Sequence, residues 1–239
     1  MRAASLRHLR AARTLAVLAS AASLPLAYAA APAPAPPLSA APAPIGGAAP
    51  QHTDADTGLS FPTRVDGGLF LAGTACRYKY GFAKVYAVAL YVAGGARALG
   101  GAAALEAVQN GALPAGITIK LARNVGAKDL AEALQASISP QVIARGQRDA
   151  RDPAADLAKL AELGTRLTDA LGTTLPVGTE VAFRWVGAGD LHVAVNGRPL
   201  VVFGGAPLLC GGFFATYVSQ APLIPAAREA WIAGINAAK

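Results

Sequence analysis

The ten residues Ala83-Lys-Val-Tyr-Ala-Val-Ala-Leu-Tyr-Val92 constrain this chain more than any other stretch. β-Branched and aromatic residues dominate, and no Gly or Pro interrupts them, so the segment reads as a long strand. Period two places Lys84, Tyr86, Val88, Leu90 and Val92 on one face, and Val85, Ala87, Ala89 and Tyr91 on the other. Both faces are mostly apolar, which makes the strand a central one.

Its neighbours follow from the same logic. Leu69-Phe-Leu-Ala-Gly73 reads as a strand, Gly81 as a turn, and Ile117-Thr-Ile-Lys-Leu-Ala-Arg123 as a strand with Ile117, Ile119 and Leu121 facing inward. The period then changes. Leu130, Ala133, Leu134, Ser137 and Ile138 recur at helical spacing and are expected to stop before Pro140. Asp152-Pro153 opens a second helix, which Leu157, Leu160, Ala161, Leu167 and Leu171 carry to Gly172. Glu180 to Val186, Leu191 to Val195 and Arg198 to Phe203 read as three strands, the last two joined by the hairpin signal Asn196-Gly197. Two terminal helices are expected, from Pro207 to Ser219 and from Pro225 to the end, the latter carrying Trp231. The glycine pairs Gly94-Gly95, Gly100-Gly101 and Gly204-Gly205 lack the Lys or the context of a phosphate loop and read as turns. Together these elements predict an α+β domain with one mainly antiparallel sheet and helices packed on one face.

The first 53 residues behave differently. They contain no Asp or Glu, they are rich in Ala, Ser and Arg, and an apolar stretch runs from Leu15 to Ala30. We read 1–30 as a targeting segment, with a secretory signal and an organelle transit peptide as competing forms. Seven prolines lie between Ala31 and Pro50, which denies that stretch helix and sheet hydrogen bonding. Residues 31–60 are therefore assigned to a disordered Pro/Ala-rich linker and 61–239 to a single domain.

Charge and rare residues exclude several function classes. The formal charge of +7 owes four Arg to the leader; beyond it, 17 basic against 14 acidic residues leave +3, with no Lys/Arg block. That gives no footprint for nucleic acid. Past the leader no apolar run is long enough to span a membrane. Cys76 and Cys210 stand far apart without metal spacing, and His8, His52 and His192 are scattered, so no metal or cofactor is expected. Cys76 and Cys210 could pair in an oxidising compartment, but small buried thiols are the commoner state of isolated cysteines. His192 alternates with Val193 and Val195 and reads as an exposed or satisfied strand histidine.

Phe61-Pro62, Leu69-Phe-Leu-Ala-Gly-Thr-Ala-Cys-Arg77 and Phe82-Ala-Lys-Val-Tyr-Ala-Val-Ala-Leu-Tyr-Val92 together resemble the opening of chalcone-isomerase-like proteins, including their fatty-acid-binding branch. The Lys-Val-Tyr-Ala and Leu-Tyr pieces are the most specific. Further support comes from Ile117 to Arg123 followed by a helix, Val195-Asn-Gly197 before a strand, and Phe213-Phe-Ala-Thr-Tyr-Val218 with Pro222 and Pro225 near the end. The resemblance implies a curved antiparallel sheet, helices on one face and a cleft between them.

It also implies roles. Arg77 matches the family's cleft arginine, which holds a phenolate-bearing substrate in the enzymes and resembles the carboxylate clasp of the binding branch. Tyr86 stands where that branch has a tyrosine and the enzymes typically a threonine. In the enzymes a tyrosine and an asparagine near the helix after the second strand help activate a ketone. Here Asn124-Val-Gly-Ala-Lys-Asp-Leu-Ala-Glu-Ala-Leu134 has no tyrosine, and the family's hydroxyl near the penultimate helix meets Ala206-Pro207-Leu-Leu-Cys210. Lost donors of this kind cost a few kcal/mol each in transition-state stabilisation.

The leading expectation is therefore a non-catalytic protein that binds a fatty acid or similar amphipathic carboxylate. Arg77 and Tyr86 would hold the head, and Leu90, Ile119, Leu121 and Phe214 would wall the tail. The bland readings are an ion pair of Arg77 with Asp66, Glu106 or Asp129, and a core role for Tyr86. An intramolecular lyase of the chalcone isomerase type, acting on a flavonoid-like phenolic ketone, is the alternative from another class; a tyrosine entering the cleft from an unexpected strand, such as Tyr78 or Tyr80, would favour it. A ligand-free interaction module is the third. The long linker and the match to the binding branch favour a plastid destination over an extracytoplasmic one.

Overall fold

The computed structural model describes residues 50–187 and 189–238. The targeting segment and most of the linker lie outside the described residues. In chain order the strands and helices are β1 (Gln51–Thr53), β2 (Ser60–Pro62), β3 (Arg64–Val65), β4 (Leu69–Lys79), β5 (Ala83–Val92), α1 (Ala96–Leu99), α2 (Gly101–Gln109), β6 (Ala115–Leu121), β7 (Val125–Gly126), α3 (Ala127–Arg148), α4 (Ala154–Leu171), β8 (Thr174–Leu175), β9 (Glu180–Val186), β10 (Asp190–Val195), β11 (Arg198–Phe203), α5 (Pro207–Val218) and α6 (Pro225–Ala237). Seven strands form one antiparallel sheet in the order β11-β10-β9-β6-β5-β4-β3. β5 is interior to it, as its two apolar faces require.

Those faces pack against different layers. Tyr86, Val88, Leu90 and Val92 join the main core under the helices, while Ala87, Ala89 and Tyr91 join a smaller cluster around Phe61. That smaller cluster corrects the linker boundary. Residues 51–62, mostly assigned to the linker, form a β1–β2 hairpin that lays fully buried Phe61 on the outer face of β5. Buried Asp54 closes its turn by accepting hydrogen bonds from the N–H and hydroxyl of Thr57 at 2.9 and 2.7 Å. One apolar plug and one turn-forming carboxylate suffice to order a segment whose composition reads as solvated.

Register shifts twice along the β4–β5 ladder, at Leu71/Gly73 and at Arg77/Tyr78, and the second re-aims Lys84. Arg77 pairs with Tyr86 but Tyr78 pairs with Lys84, so Val85 is an extra residue opposite β4. The bulge leaves Val85 packed against the main core, and Lys84 reaches the Asp56 carbonyl on the hairpin side, away from the face that period two assigns it.

Above the main face α5 is buried from Leu208 to Val218, as an all-round apolar helix must be. Phe213 stacks on Phe183 of β9 with ring centroids 4.2 Å apart, and Trp185 meets Phe214 at 5.6 Å. On its far side α3 crosses closely because Gly211 and Gly212 stand there; side chains at those positions would overlap Arg145 and Val142. The Asp156 carboxylate of α4 accepts the Leu209 N–H at 2.7 Å and anchors the start of α5. α6 lies on β4 in the same manner, Gly234 against the Ala72 carbonyl.

Two helical expectations need correction. α3 continues through Pro140 to Arg148 instead of stopping before it. Pro140 and Ala136, whose carbonyl loses its partner, are both exposed, so water replaces the missing hydrogen bond, and buried Ile138 and Val142 hold both halves of the helix in the core. The region 96–109, read only as glycine-marked turns, holds α1 and α2, which bury Ala104, Leu105 and Val108.

Candidate functional site

Arg77 on β4 and Tyr86 on β5 are register partners, and Tyr86 is in turn opposite Leu121 on β6. The three side chains form a row that runs inward from the β4 edge across three strands. Ile119 pairs with Val88 and Ile117 with Leu90, so Ile119 and Leu90 lie further along the same face. Phe214 of α5 belongs to the same core, and Leu90, Ile119, Leu121 and Phe214 are each at most 1% exposed.

At the outer end of the row a cleft of about 430 Å³ opens along β4, lined by Thr74 to Tyr78, by Asp56 and by Ile224, Pro225, Ala226 and Ala230 around the start of α6. Arg77 is half-buried there and donates from Nη1 to the Leu223 carbonyl at 3.3 Å. It forms no ion pair among the described residues, so the pairings with Asp66, Glu106 or Asp129 are not realised. A guanidinium with one carbonyl partner retains donors that can take a carboxylate in two parallel hydrogen bonds.

Behind it stand two phenols. The Tyr86 and Tyr217 hydroxyls are 3.4 Å apart in the core. Burial raises both pKa values, most strongly for Tyr217; the Tyr217 hydrogen bond and the Arg77 charge pull Tyr86 partly back. Both are therefore neutral hydroxyl donors near neutral pH. The sequence reading does not single out Tyr217, although its helical spacing from Phe213 is the signal that puts both on one face of α5. Nothing in the sequence marks the Leu223 carbonyl, which a loop between two helices delivers.

The other expected groups are dispersed. Tyr78 lines the cleft, and its phenol is pushed up to about 12 by desolvation first, then by Cys76 and the Asp56 carboxylate. Tyr80 points to solvent, 77% exposed. Asn124, exposed in the loop after β6, accepts the Val177 N–H at 3.2 Å. Cys76 and Cys210 are both buried free thiols. His192 is exposed on the opposite face of the sheet, beside a groove that also contains Arg184.

No family model matches the chain, and no curated protein matches it. Among solved structures, the crystal structure of an Arabidopsis thaliana fatty-acid binding protein superposes with a TM-score of 0.65 over 78% of this chain and 98% of that one, at 16% identity. The chain has the chalcone-isomerase fold. Within that fold the Arg77–Tyr86–Leu121 row lies on the sheet face that the helices cover. No helix among the described residues is long and apolar enough to cross a membrane.

Proposed function

We propose that this chalcone-isomerase-fold protein binds a fatty acid or similar amphipathic carboxylate without transforming it. The observation that carries this reading is Arg77: a cation at the mouth of a cleft, unpaired with any carboxylate among the described residues, with neutral phenols behind it and an unbroken apolar core beyond. The carboxylate sits on the Arg77 guanidinium, with Tyr86 as a second donor. The tail follows the row inward past Leu121 towards Ile119, Leu90 and Phe214. Those four side chains are fully packed, so entry requires α5 and α6 to part from the sheet; the α5–α6 loop, held to Arg77 through Leu223, is the segment placed to respond. The neighbour, a fatty-acid binding protein by name, supports the class of ligand.

Tyr78 favours a second reading. A phenol lining the same cleft as Arg77 is a donor that a phenolic ketone could use, so an intramolecular lyase of the chalcone isomerase type stays in the test. Calorimetric titration of wild type and Arg77→Ala with dodecanoate, with chalcone turnover in parallel, separates the cases. Micromolar binding that the variant loses supports the carboxylate clasp. Equal binding by both assigns Arg77 to structure, turnover without binding makes the protein an enzyme, and neither leaves an interaction module. The plastid destination we propose for the leader is tested on the mature N-terminus by mass spectrometry: cleavage beside Ala30 indicates a secretory signal.

A further inference from the structure

The β4–β5 hairpin projects from the sheet. β6 ends at Leu121, opposite Tyr86, and on the other flank β3 pairs only with Leu69 and Phe70. The residues from Tyr78 to Lys84 therefore have no flanking strand on either side, and the tip stands roughly 13 Å beyond the end of β6 at strand rise. Its three-residue loop is Tyr80-Gly81-Phe82. Tyr80 and Phe82 are 77% and 78% exposed; the other large apolar residues exposed among those described are aliphatic, and none exceeds 56%. Two maximally exposed aromatics thus share one tip.

Turn chemistry does not account for them. Tyr80 has φ +58°, a left-handed conformation that Asn or Gly adopts more easily, and Phe82 packs on no core. The surroundings are basic. Lys79 stands 5.2 Å over the Tyr80 ring, Lys84 is exposed at the base of the loop, and exposed Arg123 follows Ala122, whose N–H is bonded to the Val85 carbonyl. Asp56 is the acidic neighbour, its carbonyl bound to Lys84 and its carboxylate beside Tyr78.

We propose that this hairpin tip docks the protein on anionic phospholipid bilayers, with Tyr80 and Phe82 seated at the headgroup level and Lys79, Lys84 and Arg123 facing the lipid charge. Aromatic rings with basic neighbours partition to that interface, and each cation near an anionic surface adds attraction. Docking by two rings and three cations is weak and reversible. Arg77 and Tyr78 lie at the base of the same hairpin, so a docked protein would present the cleft mouth to the membrane; that corollary alone rests on the fatty-acid reading.

The test uses the full chain with Tyr80→Trp as a local probe, so that membrane contact by the apolar leader does not register. The emission of the introduced indole is taken as the difference from the parent chain, whose own two tryptophans are buried. With vesicles of equimolar phosphatidylglycerol and phosphatidylcholine, this emission should shift to the blue and be quenched by brominated acyl chains. Phe82→Ser in the same background, or vesicles of phosphatidylcholine alone, should each require about tenfold more lipid for the half-maximal shift. A probe signal unmoved by anionic vesicles overturns the proposal and leaves the tip to a protein partner. Equal responses with and without Phe82, or with and without anionic lipid, overturn it as well. Arg77→Ala should leave the probe response intact while abolishing dodecanoate binding in vesicle-free buffer, so failure of one reading is distinguishable from failure of the other.

Discussion

Arg77 and Tyr86 meet across the β4–β5 ladder because the bulge at Val85 shifts the register there; period two alone, carried from Tyr78 opposite Lys84, would set Arg77 opposite Val85. Their third companion, Tyr217, comes from a helix more than a hundred residues away and depends on packing that no local pattern encodes. If Tyr86 supplies a hydroxyl to the ligand, Tyr86→Phe should weaken dodecanoate binding about tenfold, the worth of one hydrogen bond to a charged group, and should also lower the thermal midpoint because the buried Tyr217 hydroxyl loses its partner. Calorimetry and a melting curve on the same sample check both halves. The buried thiols and phenols also give the fold a pH signature. Burial pushes the Cys210 thiol up to about 12 from an ordinary 9.0, and Tyr86 and Tyr217 lie above their ordinary 10.0. Between the unfolded and folded values the native state keeps protons that the unfolded chain has lost, so stability falls as pH rises. It should be complete below about pH 9 and decline from there towards pH 12, first through Cys210 and then through the tyrosines. Urea midpoints measured from about pH 8 to about pH 11 should fall, and Cys210→Ala should flatten the first part of the decline.

At the scale of elements, legibility follows how much of the decision is local. The extent of β5 is readable, and so are its faces from Tyr86 to Val92, because a period-two pattern leaves little choice there; only the bulge at Val85 escapes it. The Asn196-Gly197 turn dictates the β10–β11 pairing through its left-handed backbone, with φ of 48° and 75°. α2 escapes a reading of the sequence because Ala and Gly give almost no amphipathic contrast; what settles it is contact, since Gly101 lies against Ile232 of α6 with no room for a Cβ. Pro140 misleads for the converse reason. A local rule stops the helix there, but two buried residues on either side outweigh one solvent-facing hydrogen bond. Pro140→Ala should therefore stabilise the protein, by about 1 kcal/mol or more, through the restored bond to Ala136 and the better helix propensity. Chemical denaturation at constant m-value would reveal it. Gly234→Ala works in the opposite direction, because its Cβ would overlap the Ala72 carbonyl. α6 would have to lift from β4, at a cost of about 2 kcal/mol or more, and the cleft beside Arg77 would widen.

At the scale of the whole molecule, the α+β architecture is legible because strand, helix and turn signals agree in order, whereas the ordered β1–β2 hairpin is hidden by its position next to proline-rich sequence. That hairpin matters for how the domain should be cut. Phe61, Asp54 and the Tyr91 hydroxyl bond to the Pro62 carbonyl tie it to the outer face of β5, so a domain started at Phe61 would lose β1 and part of β2. Started at Pro50 it keeps one continuous main core, from β4 under α6 to β10 under α5. The two tryptophans report on separate parts of that core: Trp185 in β9 against Phe214, and fully buried Trp231 in α6 beside Gly73 of β4. If the core is one cooperative unit, urea unfolding of residues 50–239 should give the same midpoint from Trp231 alone, in a Trp185→Phe variant, from Trp185 alone, in a Trp231→Phe variant compared after correction for its own stability, and from far-ultraviolet circular dichroism. Saturating dodecanoate should move all three upward together. An earlier Trp231 transition would instead mark α6 as a separately opening flap over β4, and a ligand that moved only that transition would identify the flap as the way into the cleft.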